Sequence, residues 1–579
     1  MILQSLVAHY EDLLSQGQIS KPGWGKVNIS YALNLDEQGN IVGFSSLKTL
    51  KETGKKKVYV PQQIEVPQPV KRSVDVNSNF LCDNSTYILG VDEKGKQDRT
   101  LQCYQACKNK HYEILKIIDT PAARAIVNFF DKWVPSLAKE CSWLVDDWKD
   151  LMAGANILFY YDGHSVIEDE KICKAWQEYY DNSDTLNQNI CMITGKKTSM
   201  ALLHPTIKGV RGAQAMGTSL VSFNAASFCS YEKEQGNNAP ISEYAAFAYA
   251  TALNELLNDS MHTRTIGDAT VVFWAEGGDK SYQDMAMAFM YGADEDNGFT
   301  DQDLASIMDC IRQGKPVEVD DKSLDMDKHF YILGLAPNAA RLAVRFFMQD
   351  SFGNILKNID EHNKRMMIVK PSYDKYAILP VWKMLSETVN QNAKDKTPSP
   401  QMAADTLKAI LTNSNYPASL LNGVMLRIKA EHNVTRGKAA IIKAYYSRNT
   451  NKYCSKEVLQ MGLNEDCRDV AYTLGRLFAV LEHIQQEANP GINATIKDKY
   501  FNTAASIPAQ IFPVLVNLSQ KHLRKLGDGS KIYFNKKIGE LSEIIGTEYP
   551  KRLNMPQQGS FQLGYYCQTQ KRYEKREEK

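Results

Sequence analysis

An excess of charge of either sign is missing from this chain. Its 579 residues carry 68 Lys and Arg against 67 Asp and Glu, a formal net charge of +1. No global field therefore draws in a polyanion, and any nucleic-acid surface must arise from local segregation of charge. Long hydrophobic runs are missing too, and none approaches the roughly 18 residues of a membrane span. The opening MILQSLVAHYEDLLSQG lacks a basic n-region, a long apolar core and a small-residue cleavage site, so it does not have the form of a signal peptide. Eleven cysteines are scattered without a CxxC pair, Cys103 and Cys107 coming closest. That pattern excludes the familiar zinc and disulfide frameworks and leaves reduced structural thiols. Together these absences imply a cytoplasmic protein with no membrane partner.

Catalytic signatures are also lacking. No GxGxxG, GxSxG or HExxH occurs. TGKKTS at 194–199 resembles a phosphate loop, but that motif requires glycine where Ile190 stands and Ser or Thr where Lys197 stands. The ten histidines are dispersed, and none forms an HD dipeptide. His204, in LLHPTIKG, is a candidate general base; the plainer alternative is a histidine bonded to loop backbone. Asp268 and Glu276 flank GDATVVFWAE and are candidate metal ligands, or simply cap and solvate the strand ends. The residues imply no catalytic group, no metal and no cofactor.

What is present divides in two. Apolar residues at Ile2, Leu3, Leu6, Val7, Tyr10, Leu13 and Leu14 predict an amphipathic first helix. From Trp24 to about Val91, alternating segments such as KVNISYALNL and KKVYVPQQIEV, punctuated by Gly and Pro, predict strands. Residues 101–185 are predicted helical around a short strand at NILFYYDG. Residues 190–275 mix strands (SLVSF, ATVVFWA) with a helix at SEYAAFAYATALNELL, capped by Ser242. HFYILGLAPNAARLAVRFF is predicted as strand, loop and helix. The polar, proline-bearing QNAKDKTPSPQ at 391–401 is the linker candidate, and helical periodicity dominates from Ala403 onward. No repeat of 20–50 residues is visible. The expected fold class is α+β: a mixed α/β region over 1–390, a linker at 391–401 and an α-helical bundle over 402–579. Residues 461–579 are a candidate for separate folding.

Binding chemistry is concentrated locally. IKGVRGAQAMGTSLVSFNAASFCSYEKEQGNNAP, 207–240, gathers glycines, amides and two cations in one place. Lys208 and Arg211 can neutralise phosphate. Gln214 and Asn224 can both donate and accept, as reading base edges requires. The same composition also suits a buried loop whose amides satisfy backbone groups. A second patch, VKRSVDVNSNFLCDNSTYILG at 70–90, offers Lys71, Arg72, Asn77, Asn79 and Asn84 around an apolar anchor at Phe80–Leu81, with a tight structural turn as the alternative. In LAPNAARLAVRFF, Asn338 is a candidate helix cap, and Arg341 and Arg345 share one face at i, i+4, for phosphate or for internal salt bridges. Between Arg427 and Lys452 seven cations, among them Arg427, Lys429, Arg436, Lys438 and Lys443, stand against one acid, Glu431. With Tyr445 and Tyr446 interleaved, that stretch suits a phosphate backbone, a solvated face or an acidic protein.

These same blocks carry a resemblance. VKRSVDVNSNFLCDNSTYILG, HPTIKGVRGAQAMGTSLVSFNAASFCSY, QGNNAPISEYAAFAYATALNELL, GDATVVFWAE and LGLAPNAARLAVRFF are similar to the large subunit of the type I-C CRISPR surveillance complex (Cascade), a Csd-type family. MILQSLVAHYEDL and YPASLLNGVMLRIKAEHNVTRGKAAIIKAYYSRN extend the resemblance over nearly the whole chain. It implies a non-catalytic subunit of a ribonucleoprotein complex in antiviral defence, which recognises the protospacer-adjacent motif (PAM) on double-stranded DNA and helps open it for guide RNA pairing. The partners it implies are guide RNA, target double-stranded DNA, the backbone, guide-RNA-handle and small subunits, and the helicase–nuclease effector. It also implies that an internal start can release the helical C-terminal part as a small subunit. The residue pattern itself leaves open an enzyme acting on DNA or nucleotides, and a purely structural scaffold.

Overall fold

The computed structural model describes residues 2–53, 56–70, 72, 76–93, 97–182, 188–292, 298–319, 322–374, 376–449 and 454–573. Helix accounts for 49% and strand for 16%, with mixed elements first and helices last, so the fold is α+β as expected. The chain forms two compact units, 1–205 with 221–252, and 206–220 with 253–579.

In the first unit a sheet is built in the order Ile41–Ser46, Tyr31–Leu35, Asn156–Tyr161, Cys82–Asn84, with His164–Ser165 also paired to the third of these. Tyr31–Leu35 runs parallel to Asn156–Tyr161; its other partner, Ile41–Ser46, is antiparallel. The alternation read in YALNL thus belongs to a strand buried between two neighbours. Helices Gln97–Leu115, Pro121–Lys132 and Glu170–Asn182 supply an aromatic core with it. Phe80 stacks on Trp176 at 5.3 Å, and His111 packs on Phe80 and Phe130 at 5.0 Å each. His111 Nε2 accepts from the Leu81 amide at 2.9 Å, and burial pushes its pKa down to about 4.

The second unit holds an antiparallel sheet in the order Arg264–Ile266, Ala269–Ala275, His329–Asn338, Arg341–Ser351. The last two strands form a long hairpin turning at Ala339–Ala340, so the helix expected over NAARLAVRFF is a strand. Its residues satisfy both periods, and pairing with 329–338 decides for period two. SLVSF is not a strand either. Only single bridges join 218 and 219 to their neighbours.

The hydrophobic core of this unit runs without a break from Ile266 on the sheet to Cys567 in the last helix. The stretch 391–399 is largely exposed and carries no helix or strand. The helix after it, Pro400–Leu411, packs back on the sheet, and the compact units divide at 205/206, 220/221 and 252/253. Farther along, helix Val470–Ala488 is wrapped by Pro508–Leu523, Asp528–Ile545 and Met555–Lys571. Two glycines let this helix and the last one touch backbone to backbone. A Cβ at Gly475 would lie 2.0 Å from the Phe561 carbonyl oxygen, and one at Gly564 2.1 Å from that of Tyr472.

Candidate nucleic-acid interface

The segment 207–219 is a loop built to hold its side chains outward. Its feet are joined by a bridge in which the Ile207 and Thr218 amides each donate to the other's carbonyl at 2.8 Å. Ser219 is bolted to the hairpin turn: its amide donates to the Ala340 carbonyl at 3.2 Å, and Leu342 donates back at 3.0 Å. Ile207, Val210 and Thr218 are buried. Two polar side chains from elsewhere pin the backbone, Asn254 accepting from the Lys208 amide at 2.8 Å and Thr270 from the Arg211 amide at 3.0 Å. Gly209, Gly212 and Gly217 supply positive φ angles of 87°, 78° and 94°. The long side chains left exposed are those of Lys208, Arg211, Gln214 and Met216, the last 83% exposed.

Asn224 is exposed but belongs to the first unit, so the expected continuous 207–224 loop is divided at 220/221. The Asn238 amide is used internally, accepting from the Ser230 amide at 2.9 Å and donating to the carbonyls of Lys233 and Gln235 at 3.0 Å.

The 70–90 patch is mostly structural. Arg72 forms a two-pronged ion pair with buried Asp83, stacks 3.8 Å over the Tyr87 ring, and donates to the Asn77 carbonyl at 2.6 Å. Asn79 accepts from the Val70 amide at 3.0 Å, and Asn84 caps helix Ser85–Ile88 by accepting from Thr86. Their side-chain oxygens therefore serve backbone. Asn77 alone of the three asparagines is exposed. Lys71 lies outside the described residues.

The cations expected to form phosphate stripes are largely consumed inside the protein. Arg345 is the extra residue of a bulge opposite Gly334–Leu335 and pairs with Asp268. Arg341 is half-buried, its backbone bridged to Ser219. Arg436 is buried, donating to Asp374 at 3.0 Å and to the carbonyls of Tyr376 and Ala377. Lys438 is buried against Glu431, and Arg427 reaches the same carboxylate at 2.9 Å. Lys443 is buried with its ammonium on the Arg365 carbonyl at 3.0 Å, and burial lowers its pKa. A basic, phosphate-facing helix at 436–443 is therefore corrected to a buried structural one. Lys429 remains exposed.

The enzyme candidates fare similarly. His204 is buried with Nδ1 2.7 Å from the Tyr249 hydroxyl. Asp268 is held by Arg345, and Glu276 is exposed beyond its strand. Among the described residues no group of three or more His, Cys, Asp or Glu could hold a metal ion, and no helix is long and apolar enough to cross a membrane. Sequence reasoning missed Asn254 and Thr270, which carry no local signal, and Met216, whose exposure only the fold reveals.

A pinned loop that presents two cations, an amide and an apolar tip can engage a nucleic acid without moving a proton. The chain belongs to the family of CRISPR-associated protein (Cas_Csd1), whose model matches residues 6–573. Membership is consistent with a Csd-type Cascade large subunit, which works with other components of a CRISPR complex. Comparison with curated proteins returns no match.

Proposed function

We propose that this protein is the non-catalytic large subunit of a type I-C surveillance complex, and that its 207–219 loop recognises the PAM on double-stranded DNA. The subunit then promotes opening of the duplex for guide RNA pairing and offers a surface to the helicase–nuclease. The observation that carries this reading is the pinned loop with Lys208, Arg211, Gln214 and Met216 all exposed on it. Lysine and arginine grip phosphate. An amide reads a base edge by donating and accepting at once. An exposed methionine suits the apolar wedge that unstacks a base step. Guide pairing supplies the rest of the specificity, so a short motif suffices.

The test is duplex binding by the assembled complex, with and without a PAM. Gln214→Ala is expected to lower the ratio of the two affinities by about tenfold, the worth of a good base-edge contact. Lys208→Ala with Arg211→Ala is expected to weaken both duplexes alike and to flatten the salt dependence by about two ions. Unchanged PAM preference in Gln214→Ala together with unchanged duplex affinity in Lys208→Ala with Arg211→Ala would refute the loop assignment. Metal-dependent cleavage or nucleotide hydrolysis by the purified chain would refute the non-catalytic role.

A further inference from the structure

The helical part of the second unit contains an open cleft of about 760 Å³ that the PAM-reading loop does not use. Residues 371–374, 376 and 379, helix Val381–Ser386, the first turn of Arg436–Arg448, the first turn of Ile496–Ser506 and the last helix all line it. Its size falls within the roughly 300–1,000 Å³ typical of small-molecule sites.

Five tyrosines line the cleft, and one of them, Tyr376, is covered by the Lys383 ammonium at 4.0 Å. Tyr565 donates its hydroxyl to Glu482 and Tyr566 to the Val369 carbonyl, each at 2.7 Å. Tyr373, by contrast, is 84% exposed; Tyr573 is 65% exposed, with the Arg572 guanidinium 5.6 Å from its ring centre. An exposed phenol ring at the edge of a cleft is a stacking platform, and every base has a face to offer it.

Charge in the cleft is equally uneven. Asp374 is answered by Arg436 at 3.0 Å and Lys383 at 3.8 Å. Glu387 accepts from the Thr435 hydroxyl at 2.8 Å, and burial pushes its carboxyl above the ordinary range. Both acids are thus satisfied within the protein. Lys497, half-buried on the cleft wall, has no carboxylate within ion-pair distance among the described residues. The result is an unneutralised cation in a cleft edged by the exposed ring of Tyr373.

We propose that this cleft binds an unpaired nucleotide, its base stacked on Tyr373 and its phosphate drawn to Lys497. The nucleotide comes either free from solution or from a single strand; the shared chemistry is a base and a phosphate. The site is independent of the 207–219 loop, so either can fail without the other.

The experiment uses the full chain and two probes, adenosine monophosphate and a fluorescent short oligothymidylate, read by anisotropy and competition. Tyr373→Ala is expected to weaken oligothymidylate binding by about tenfold, while Tyr373→Phe retains it. Lys497→Ala is expected to weaken binding and flatten the salt dependence by about one ion, and Lys497→Arg to restore both. Tyr373→Ala should leave PAM-dependent duplex binding by the assembled complex intact, which separates the cleft from PAM reading. Competition by the mononucleotide identifies a free nucleotide as the source, and its absence a strand. No saturable binding of either probe, binding unchanged in both Tyr373→Ala and Lys497→Ala, or equal competition by an acidic peptide would overturn the proposal.

Discussion

One side chain, Asn254, holds the Lys208 backbone and the residue two before it: its oxygen accepts from the Lys208 amide at 2.8 Å, and its nitrogen donates to the Thr206 carbonyl at 3.1 Å. Buried Ile207 lies between these two bonds, so the loop leaves the protein surface from a fixed foot. Asn254→Ala removes both bonds at a cost of about 1–2 kcal/mol. Hydrogen exchange across 208–218 is expected to quicken, and PAM preference to fall, although Asn254 is given no contact with DNA. Unchanged exchange would mean that the bridge at Ile207 and Thr218 orders the loop alone.

Arg72 is expected to behave as a structural residue. Its removal strands the carboxylate of Asp83, which is 2% exposed, and empties the face of Tyr87. Uncompensated buried charge of this kind costs on the order of 3 kcal/mol. Denaturant unfolding of Arg72→Ala should show that loss. A variant of unchanged stability but weakened DNA binding would return Arg72 to the interface.

The pattern of hits and misses has a physical origin. ATVVFWA and the helical periodicity after Ala403 are legible because burial on a known period leaves a mark in the sequence itself. The hairpin at 329–351 was not, because NAARLAVRFF fits either period and its partner strand decides. The basic run after Arg427 failed for a related reason. Composition counts cations but not their partners, and the partners of Arg436 and Lys443 lie 62 and 78 residues away. The 207–219 loop was legible in residue type, whereas its anchors Asn254 and Thr270 were not.

His262 supplies a pH dependence. It is nearly buried, with Asp259 2.9 Å from Nδ1 and Asp284 2.7 Å from Nε2, and Lys280 also on Asp259. Burial alone lowers its pKa, but the two carboxylates outweigh burial and hold it above the ordinary 6.5. A folded value above the unfolded one stabilises fully below about 6.5 and is lost as pH rises through the folded value. Asp259 is desolvated by burial, yet its bonds to His262 and Lys280 hold it at about 2, so its contribution is lost only in acid. The stability difference between wild type and His262→Gln should therefore be largest near pH 6 and shrink by about pH 9. A difference constant across that range would exclude a protonated His262.

The C-terminal helices bear on the internal-start expectation. Met461 is 57% exposed in the irregular segment before helix Val470–Ala488, whereas the weaker candidate for an internal start, Met425, is 2% exposed within helix Ala418–Glu431. A chain begun at Met461 keeps every helix that wraps Val470–Ala488 but loses Tyr446, which packs on Gly559. Expressed alone, 461–579 is expected to be helical and to melt cooperatively, at a lower temperature than the parent. Gly475→Ala or Gly564→Ala should abolish that cooperativity, since either Cβ meets a carbonyl oxygen of the facing helix. Mass spectrometry of a complex expressed from its native gene should find a polypeptide near this mass; its absence from an active complex would rule out the start at Met461.

PAM recognition by the 207–219 loop is tested most directly by a photoreactive amino acid placed at position 214 of the assembled complex. Gln214 is exposed, and the turn that presents it is closed by the Gly217 amide donating to the Gln214 carbonyl at 2.9 Å. On irradiation with PAM-containing duplex, crosslinks should map to the PAM nucleotides and weaken when the PAM is scrambled. Crosslinks that reach only neighbouring protein, or DNA without regard to the PAM, would contradict it.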